Sequence, residues 1–210
     1  MRGARRYPTE PAGPFPRPPA SFADAEDRRL RVEALDDDEA ALEALTRMYV
    51  RFHPADRAQG IPPTGEETIR RWLEPLVERG VNVAVRPADD GEEAAASSPE
   101  TDDAEDDRPN YVGHAVLVPD TDDPDPRADP ADYEWELAIF VLQAYQRAGV
   151  GTELLEHLLG EAAARGIERV WLTVERWNGP AIALYERVGF ETVGSESFDR
   201  EMAIRLEGED

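Results

Sequence analysis

The chain has 210 residues, enough for one well-buried domain, and its 46 acidic and 23 basic residues give a formal charge of −23. Every basic residue is an arginine, because the sequence contains no lysine, and it contains no cysteine either. The charge argues against nucleic acid and membrane partners, since both are bound through cationic surface. The missing residue types exclude a P-loop, a Schiff-base lysine, a thiol nucleophile and thiolate metal ligands.

The acidic surface has a consequence for the solvent in which the chain folds. Like-charge repulsion destabilises the compact state, and about 1 M salt shortens the Debye length to about 3 Å and screens it. The lysine-free composition therefore resembles that of proteins from salt-accumulating halophiles, although disordered acidic loops would explain part of the charge. The basic residues 1–6 are followed by prolines rather than by an apolar core, and no segment is long enough to span a bilayer, so we expect a cytoplasmic protein.

The N-terminal part is expected to be an arm. Residues 1–28 hold many prolines and arginines with little periodicity, which predicts a disordered arm of undetermined role. The folded domain is expected over residues 29–206, with 207–210 as a tail, and it begins with a short alternating strand at 30–34.

Two helices are predicted after this strand. The three aspartates at 36–38 suit a helix N-terminus, and that helix runs to about residue 49. A loop over 52–63 leads to Thr64, which opens a T-x-x-E capping box and predicts a second helix that ends at Gly80.

Strands and acidic insertions alternate in the middle of the chain. Strands are predicted at residues 81–86 and 111–118 from their apolar content. Insertions at about 87–109 and 119–132 are rich in acidic residues, alanine and proline, so we expect solvated surface at both, with a disordered hairpin insertion at the first and a loop at the second.

The C-terminal half alternates strands and helices before it closes. A strand at 133–141 leads through a glycine-containing turn to an amphipathic helix at 152–165. A strand at 169–174 and a helix at 181–188 follow, and two antiparallel strands at 190–193 and 202–206 end the domain. The order β-α-α-β-β-β-α-β-α-β-β predicts an α/β (α+β) fold with a mixed, mostly antiparallel sheet and helices on both faces.

Two motifs point to the chemistry. Gln146-Arg147-Ala148-Gly149-Val150-Gly151 joins a strand to a helix, an arrangement that aims unpaired backbone N–H groups at a phosphate. Taken alone, this motif also fits an ordinary connection between a strand and a helix. About thirty residues later, residues 178–190 match the pattern N-x-x-A-x-x-L-Y-x-x-x-G-F. With both motifs in this order, the chain resembles the GCN5-related N-acetyltransferases (GNAT).

The resemblance implies a fold and a reaction. It implies the acyl-CoA N-acyltransferase fold with a splayed pair of cofactor-binding strands. The implied activity is direct transfer of an acetyl group from acetyl-CoA to a primary amine of a small molecule or peptide, in a ternary complex. The alternatives are a non-catalytic acyl-CoA-binding or regulatory module, or an acyltransferase with another acyl-CoA or acceptor. Family members often dimerise, so a homodimer is compatible with the resemblance.

The expected cofactor site extends from the strand end to the second motif. Amides of residues 147–152 can point at the pyrophosphate, and Gly149 and Gly151 allow close backbone approach. By resemblance, the end of the 133–141 strand bulges, splays from its neighbour and exposes amides to the pantetheine arm. The expected cofactor-binding residues are Phe140, Val141, Gln146, Arg147, Ala148, Gly149, Val150, Gly151, Thr152 and Asn178.

Tyr185 and Glu136 are the expected catalytic residues. By resemblance Tyr185 is the general acid, and its phenol is protonated at neutral pH because its ordinary pKa is near 10. Glu136 is the favoured general base, and a solvent-facing or salt-bridged position is expected more for Glu134. Family members that acetylate protein N-termini often carry a glutamate where this chain has Thr173, which argues against a peptide acceptor.

The acceptor pocket is the least patterned part of the site. It is expected to involve the loop carrying Phe52, His53 and Asp56, together with the strand near His114. A lone histidine such as His114 is more often a structural residue than a catalytic one. The three histidines form no metal-binding pattern, so no metal is expected. An acidic surface slightly favours a cationic acceptor.

Overall fold

The computed structural model describes residues 5–52, 62–88, 111–121, 123–125, 127–195 and 198–208. Within these ranges the chain forms one eight-stranded sheet and four α-helices. The strands are β1 (Ala20–Ala23), β2 (Arg29–Ala34), β3 (Val81–Pro87), β4 (Gly113–Pro119), β5 (Trp135–Val141), β6 (Arg169–Glu175), β7 (Glu191–Ser195) and β8 (Asp199–Arg205). The helices are α1 (Glu39–Val50), α2 (Glu66–Arg79), α3 (Val150–Ala164) and α4 (Gly179–Val188).

The strand order across the sheet is β1-β2-β3-β4-β5-β6-β8-β7. All neighbouring strands are antiparallel except β5 and β6, which are parallel because α3 carries the chain back across the sheet between them. The predicted mixed, mostly antiparallel sheet is therefore confirmed, with one additional strand at the N-terminal edge.

Helices cover both faces of the sheet. Gly113 and His114 are consecutive on β4, so their side chains point to opposite faces. A Cβ at Gly113 would meet Leu154 of α3 at 3.3 Å, whereas the His114 ring hydrogen-bonds to Tyr49 of α1. α3 therefore packs on one face and α1 on the other, where α2 packs against it.

Local sequence accounts for most helix ends. Asp38 caps α1 by accepting a hydrogen bond from the Ala41 amide at 2.8 Å, as the aspartate run predicts. The capping box at Thr64 is wrong, because the N-cap of α2 is Gly65, with a φ of 87° and no side-chain hydrogen bond. Asn178 caps α4, and Gly189 ends it with a left-handed φ of 112°.

The arm expected to be disordered is packed along the domain from residue 5 onward. β1 pairs with the β2 edge, and Ala12 forms an isolated bridge with Leu206 after the last strand. A Cβ at Gly160 of α3 would lie 2.0 Å from the Pro16 carbonyl oxygen, so glycine allows the arm to cross that helix in contact with it. The prediction failed because two of these anchors, Ala12 with Leu206 and Pro16 with Gly160, join residues more than 100 positions apart, which local composition does not reveal.

The insertions and the closing hairpin differ from expectation in smaller ways. Residues 130–132 form a 3₁₀ turn, and the Trp135 indole donates to the Pro130 carbonyl at 3.1 Å, so the end of the 119–132 insertion is structured. Most of the 87–109 insertion lies outside the described residues. β7 and β8 extend into the predicted turn and pair out to Ser195 and Arg200, with an irregularity between Thr192 and Gly194.

Candidate active site

A cleft opens where the parallel strands β5 and β6 separate. Their register pairs are Trp135 with Val170 and Glu136 with Trp171, and beyond these pairs the two strands diverge. The cleft has a volume of about 710 Å³ and extends to the turn before α3 and to one side of α4. We call the end at Glu136 the closed end and the end at the turn the open end.

The divergence occurs without the expected bulge. β4 and β5 pair residue for residue from Gly113 with Val141 to Pro119 with Trp135. The expectation of a bulge is therefore wrong, because β5 keeps its register with β4. From Leu137 to Val141 the other edge of β5 has no strand partner among the described residues. Apart from the Val141 carbonyl, which accepts a hydrogen bond from Gln146, the backbone groups on that edge are available to a ligand that adds as a strand.

The turn at the open end presents a concave set of backbone amides. Arg147 and Gly149 both adopt left-handed conformations, with φ of 64° and 93°, and Ala148 lies between them. Alternation of this kind points successive N–H groups to one side. Within the described chain, the amides of residues 147–151 donate to no protein acceptor, whereas the Thr152 amide bonds to the Gly149 carbonyl at 2.9 Å. The expectation that Thr152 contributes its amide is therefore wrong.

The side chains of the turn divide into two groups. Those of Gln146, Arg147 and Thr152 line the cleft, as do Gly149 and Gly151. Ala148 and Val150 do not line it, because their side chains are buried in the core. Gln146 also donates to the Val141 carbonyl at 2.9 Å, which fixes the strand end to the turn.

The N-terminal arm braces this turn. The Ala25 amide donates to the Ala148 carbonyl at 2.9 Å. Arg28 stacks over Tyr145, with its guanidinium carbon 4.1 Å from the ring centroid, and donates to the Ala144 carbonyl at 2.7 Å. The left-handed Arg147 is thus held by contacts on both sides of it, as a strained residue requires.

Phe140 and Val141 both line the cleft near its open end. Phe140 also belongs to a cluster of aromatic rings with Tyr49, Phe52 and Trp72, at centroid distances of 5.3, 6.1 and 5.9 Å. Edge-to-face packing at these distances is stabilising. The cluster attaches α1 and α2 to the wall of the cleft, and Phe52 reaches the cleft as well.

Tyr185 lies on α4 and faces the cleft with little exposure to solvent. Burial raises the pKa of its phenol well above the ordinary value, so the group is protonated across the neutral range. Ile182 and Val188, which flank it on the same helix, are buried. This packing fixes the position of the phenol.

Glu136 lines the closed end of the cleft and is partly buried. Glu134, two residues earlier, forms an ion pair with Arg5, which agrees with its expected salt-bridged position. The role of Glu136 as the general base stays a prediction. Thr173 lines the opposite wall, on β6, and Asn178 lines the cleft where α4 begins.

His114 is a buried structural residue. Asn82 donates to carbonyls of residues 76 and 80 at 2.9 and 3.1 Å, so its side-chain oxygen accepts from His114 Nε2 at 3.0 Å. His114 Nδ1 then accepts from the Tyr49 hydroxyl at 2.8 Å. Burial lowers the pKa of His114 to about 3, which keeps the ring neutral in this network.

Sequence reasoning missed several lining residues. These are Leu137, Ala138, Ile139, Val174, Glu175, Pro180, Ala181, Ala183, Leu184 and Arg187. The helical spacing of Pro180, Leu184 and Arg187 was the available signal, because residues four and three apart share a face. His53 and Asp56 of the expected acceptor pocket lie outside the described residues.

Two further observations concern the described ranges alone. No described helix combines the length and apolar character that crossing a membrane requires. No group of three or more histidine, aspartate or glutamate side chains there is arranged to hold a metal ion.

Comparison with known proteins agrees with this geometry. A [ribosomal protein bS18]-alanine N-acetyltransferase of Escherichia coli strain K12 is 54% identical over 46 residues, which are 22% of this chain and 31% of that protein. The chain thus spans about a third of the length of that curated relative.

Two solved structures share the fold. The GNAT domain of S. lividans PAT has a TM-score of 0.64 and 18% identity, covering 90% of this chain and 97% of that one. A ribosomal L7/L12 alpha-N-protein acetyltransferase in complex with coenzyme A has a TM-score of 0.59 and 14% identity, covering 86% and 96%. The model of the acetyltransferase (GNAT) family matches residues 68–190, more than half of the chain. The chain therefore belongs to the acetyltransferase (GNAT) family.

Proposed function

We propose that the protein is an acetyl-CoA-dependent N-acetyltransferase that moves an acetyl group directly to a primary amine. The observation that carries the proposal is one cleft that joins the unpaired amides of residues 147–151 to the Tyr185 phenol. A ligand with a pyrophosphate at one end and an amide-bearing chain fits this combination. The solved relative in complex with coenzyme A supports the choice of ligand.

Binding of the cofactor falls to the turn and to the free edge of β5. The amides of residues 147–151 form a site for the pyrophosphate at the N-terminus of α3, where the helix dipole also favours negative charge. Arg147 and Arg187 are exposed side chains on this part of the cleft and add positive charge. The unpaired edge from Leu137 to Val141 pairs with the amides of the pantetheine arm.

Catalysis requires three acts, which fall to a β5 backbone amide, Glu136 and Tyr185. A β5 backbone amide donates a hydrogen bond to the acetyl carbonyl and polarises it. Glu136 accepts the proton that the amine loses as the carbon–nitrogen bond forms, directly or through a water. Tyr185 donates its proton to the sulfur as the carbon–sulfur bond breaks, so coenzyme A leaves as a thiol.

The test is acceptor-dependent release of the coenzyme A thiol from acetyl-CoA, measured across a panel of amines and peptides. The assay is run in about 1 M KCl, because this salt concentration screens the like-charge repulsion within a protein of charge −23. The protein has no cysteine, so it contributes no background to a thiol reagent. We expect release with some amines and its loss in Tyr185→Phe. Cofactor binding with no release for any acceptor would contradict catalysis and favour a binding module.

A further inference from the structure

A guanidinium group is held beside the closed end of the cleft. The Arg5 side chain is only 7% exposed, and its guanidinium carbon lies 3.5 Å from the centroid of the Trp171 ring. It forms ion pairs with three carboxylates: Glu201 at 3.1 Å, Asp120 at 3.4 Å, and Glu134. We call Trp171, Asp120, Glu134 and Glu201 the guanidinium site.

The sheet builds this site, and the arm supplies its occupant together with Tyr7, which lies beside Arg5 and Glu134. Asp120 follows β4, Glu134 precedes β5, Trp171 lies on β6 and Glu201 lies on β8. The Trp171 indole N–H is buried and has no hydrogen-bond partner among the described residues, so the site holds a donor that its present occupant leaves unused. A planar guanidinium suits these partners because it stacks on an aromatic ring and bonds to carboxylates through its edge.

The guanidinium site adjoins the residues proposed for catalysis. Trp171 is the register partner of Glu136, and Glu201 is the register partner of Thr173. Partners in register point to the same face, and neighbouring strands are about 4.8 Å apart. Glu136 and Thr173 both line the cleft. A molecule with an amine at Glu136 could therefore place a guanidinium in the site.

We propose that the guanidinium site is an acceptor subsite, and that Arg5 is a tethered occupant which a guanidinium-bearing acceptor displaces. This proposal rests on the proposed acetyl transfer. The arm is anchored independently by β1 and by the Ala12 bridge, so the segment before residue 12 can leave without releasing the rest. A tethered occupant competes at high effective concentration and raises the apparent KM for the acceptor.

The test compares full-length Arg5→Ala with the wild type and with Arg17→Ala. Arg17 is the matched control, because it anchors the same arm to Glu161 at 3.2 Å but lies outside the guanidinium site. The probes are an Ala-Arg-Ala amide peptide, its citrulline counterpart, and 4-aminobutylguanidine as the small-molecule source of the same group. Calorimetric dissociation constants and KM are both measured, and Arg5→Gln serves if Arg5→Ala does not fold.

We expect Arg5→Ala to bind an arginine peptide or the small guanidine about tenfold more tightly than the wild type, in line with one desolvated cation–π and ion-pair contact. The citrulline peptide should show no gain, and Arg17→Ala should match the wild type. Adding Glu201→Gln to Arg5→Ala should reverse the gain. If the arginine peptide gains affinity, the acceptor is a peptide. If 4-aminobutylguanidine gains affinity, the acceptor is a small molecule.

Equal binding of the arginine and citrulline peptides to Arg5→Ala would overturn the proposal and leave Arg5 as an anchor of the arm. The calorimetric readout needs no catalysis, so the two proposals fail separately. A binding gain without turnover would overturn acetyl transfer and leave the guanidinium site standing. Turnover of other amines with no preference for guanidinium-bearing acceptors would overturn the guanidinium site and leave acetyl transfer standing.

Discussion

The two ends of the cleft differ in charge. The open end presents backbone amides and the exposed Arg147, and the cleft is also lined by Arg187 on α4 and by Glu175 at the end of β6. The closed end is bordered by carboxylates, with Glu136 inside it and Glu134 and Glu201 beside it on the same face. The protein carries a net charge of −23, so the positive groups at the open end differ in sign from the molecule as a whole. The difference fits a reaction that brings an anionic cofactor to one end and a cationic amine to the other.

The largest expected effect is at the junction of the two ends. Tyr185→Phe removes the proposed proton donor while keeping the ring that fills the space beside Ile182 and Val188. We expect kcat to fall about 10²- to 10⁴-fold, the usual contribution of a general acid, with little change in the binding of acetyl-CoA. Steady-state kinetics with calorimetric binding would measure both. An unchanged kcat would remove Tyr185 from the mechanism.

The next effect concerns the support behind the acceptor side of the cleft. His114→Gln keeps a donor and an acceptor for Asn82 and Tyr49 but removes the titrating ring. The folded-state pKa of His114 is lowered to about 3, whereas an unfolded histidine titrates near 6.5. The unfolded chain therefore binds a proton that the folded chain does not, and stability falls as the pH drops from about 6.5 towards about 3.

Chemical denaturation at several pH values would test this dependence. Between about pH 6.5 and 4.5, the wild type should lose up to about 1.4 kcal/mol per pH unit more than His114→Gln. Taking the difference between the two stability curves cancels the contribution of the carboxylates, because these titrate in both proteins. Parallel stability curves for the two proteins would contradict a neutral, buried His114.

A matched pair of glycines tests the open end. Gly149 and Gly166 have left-handed φ of 93° and 78°, and a Cβ at either would meet nothing within 4 Å. Alanine at either position should therefore cost about 1 kcal/mol of stability through backbone strain. Only Gly149→Ala should also raise the Kd for acetyl-CoA, by about tenfold, because only Gly149 lies on the turn that we propose holds the pyrophosphate. Equal affinities in the two variants would argue against the turn as the phosphate site.

The smallest expected effect is a loss of stability from a substitution that lies away from both ends of the cleft. Asp38→Ala removes the cap of α1 and should cost about 1 kcal/mol, whereas Asp37→Ala serves as its control because Asp37 caps no helix in the structure. Thermal unfolding of the two variants would measure the difference. Acetyl-CoA affinity should be the same in both, since no residue of α1 lines the cleft.

The open end of the cleft could be read from sequence because it is local. The turn at 146–151 and the motif at 178–190 are each continuous, and backbone geometry determines what they can bind. The order of strands and helices was readable for the same reason, since periodicity and capping act over a few residues. Asp38 was correctly expected to cap α1 on that basis.

The guanidinium site beside the closed end could not be read in this way. Its residues come from four strands or their ends, and Arg5 reaches them from a segment whose prolines predicted disorder. The bulge expected from the family resemblance was wrong, because β5 pairs with β4 residue for residue along its whole length. Arg187 was missed because its helical spacing from Pro180 and Leu184 indicates a shared face but not that this face lines the cleft.

Hydrogen–deuterium exchange of the full-length protein, with and without acetyl-CoA in about 1 M KCl, tests the central claim most directly. The amides of residues 147–151 have no protein acceptor in the described chain, so they should exchange quickly alone and slowly with the cofactor. Protection should extend to the free edge of β5 from Leu137 to Val141, while β1 stays unchanged. Protection elsewhere, or none at the turn despite measurable binding, would contradict the account of the cleft.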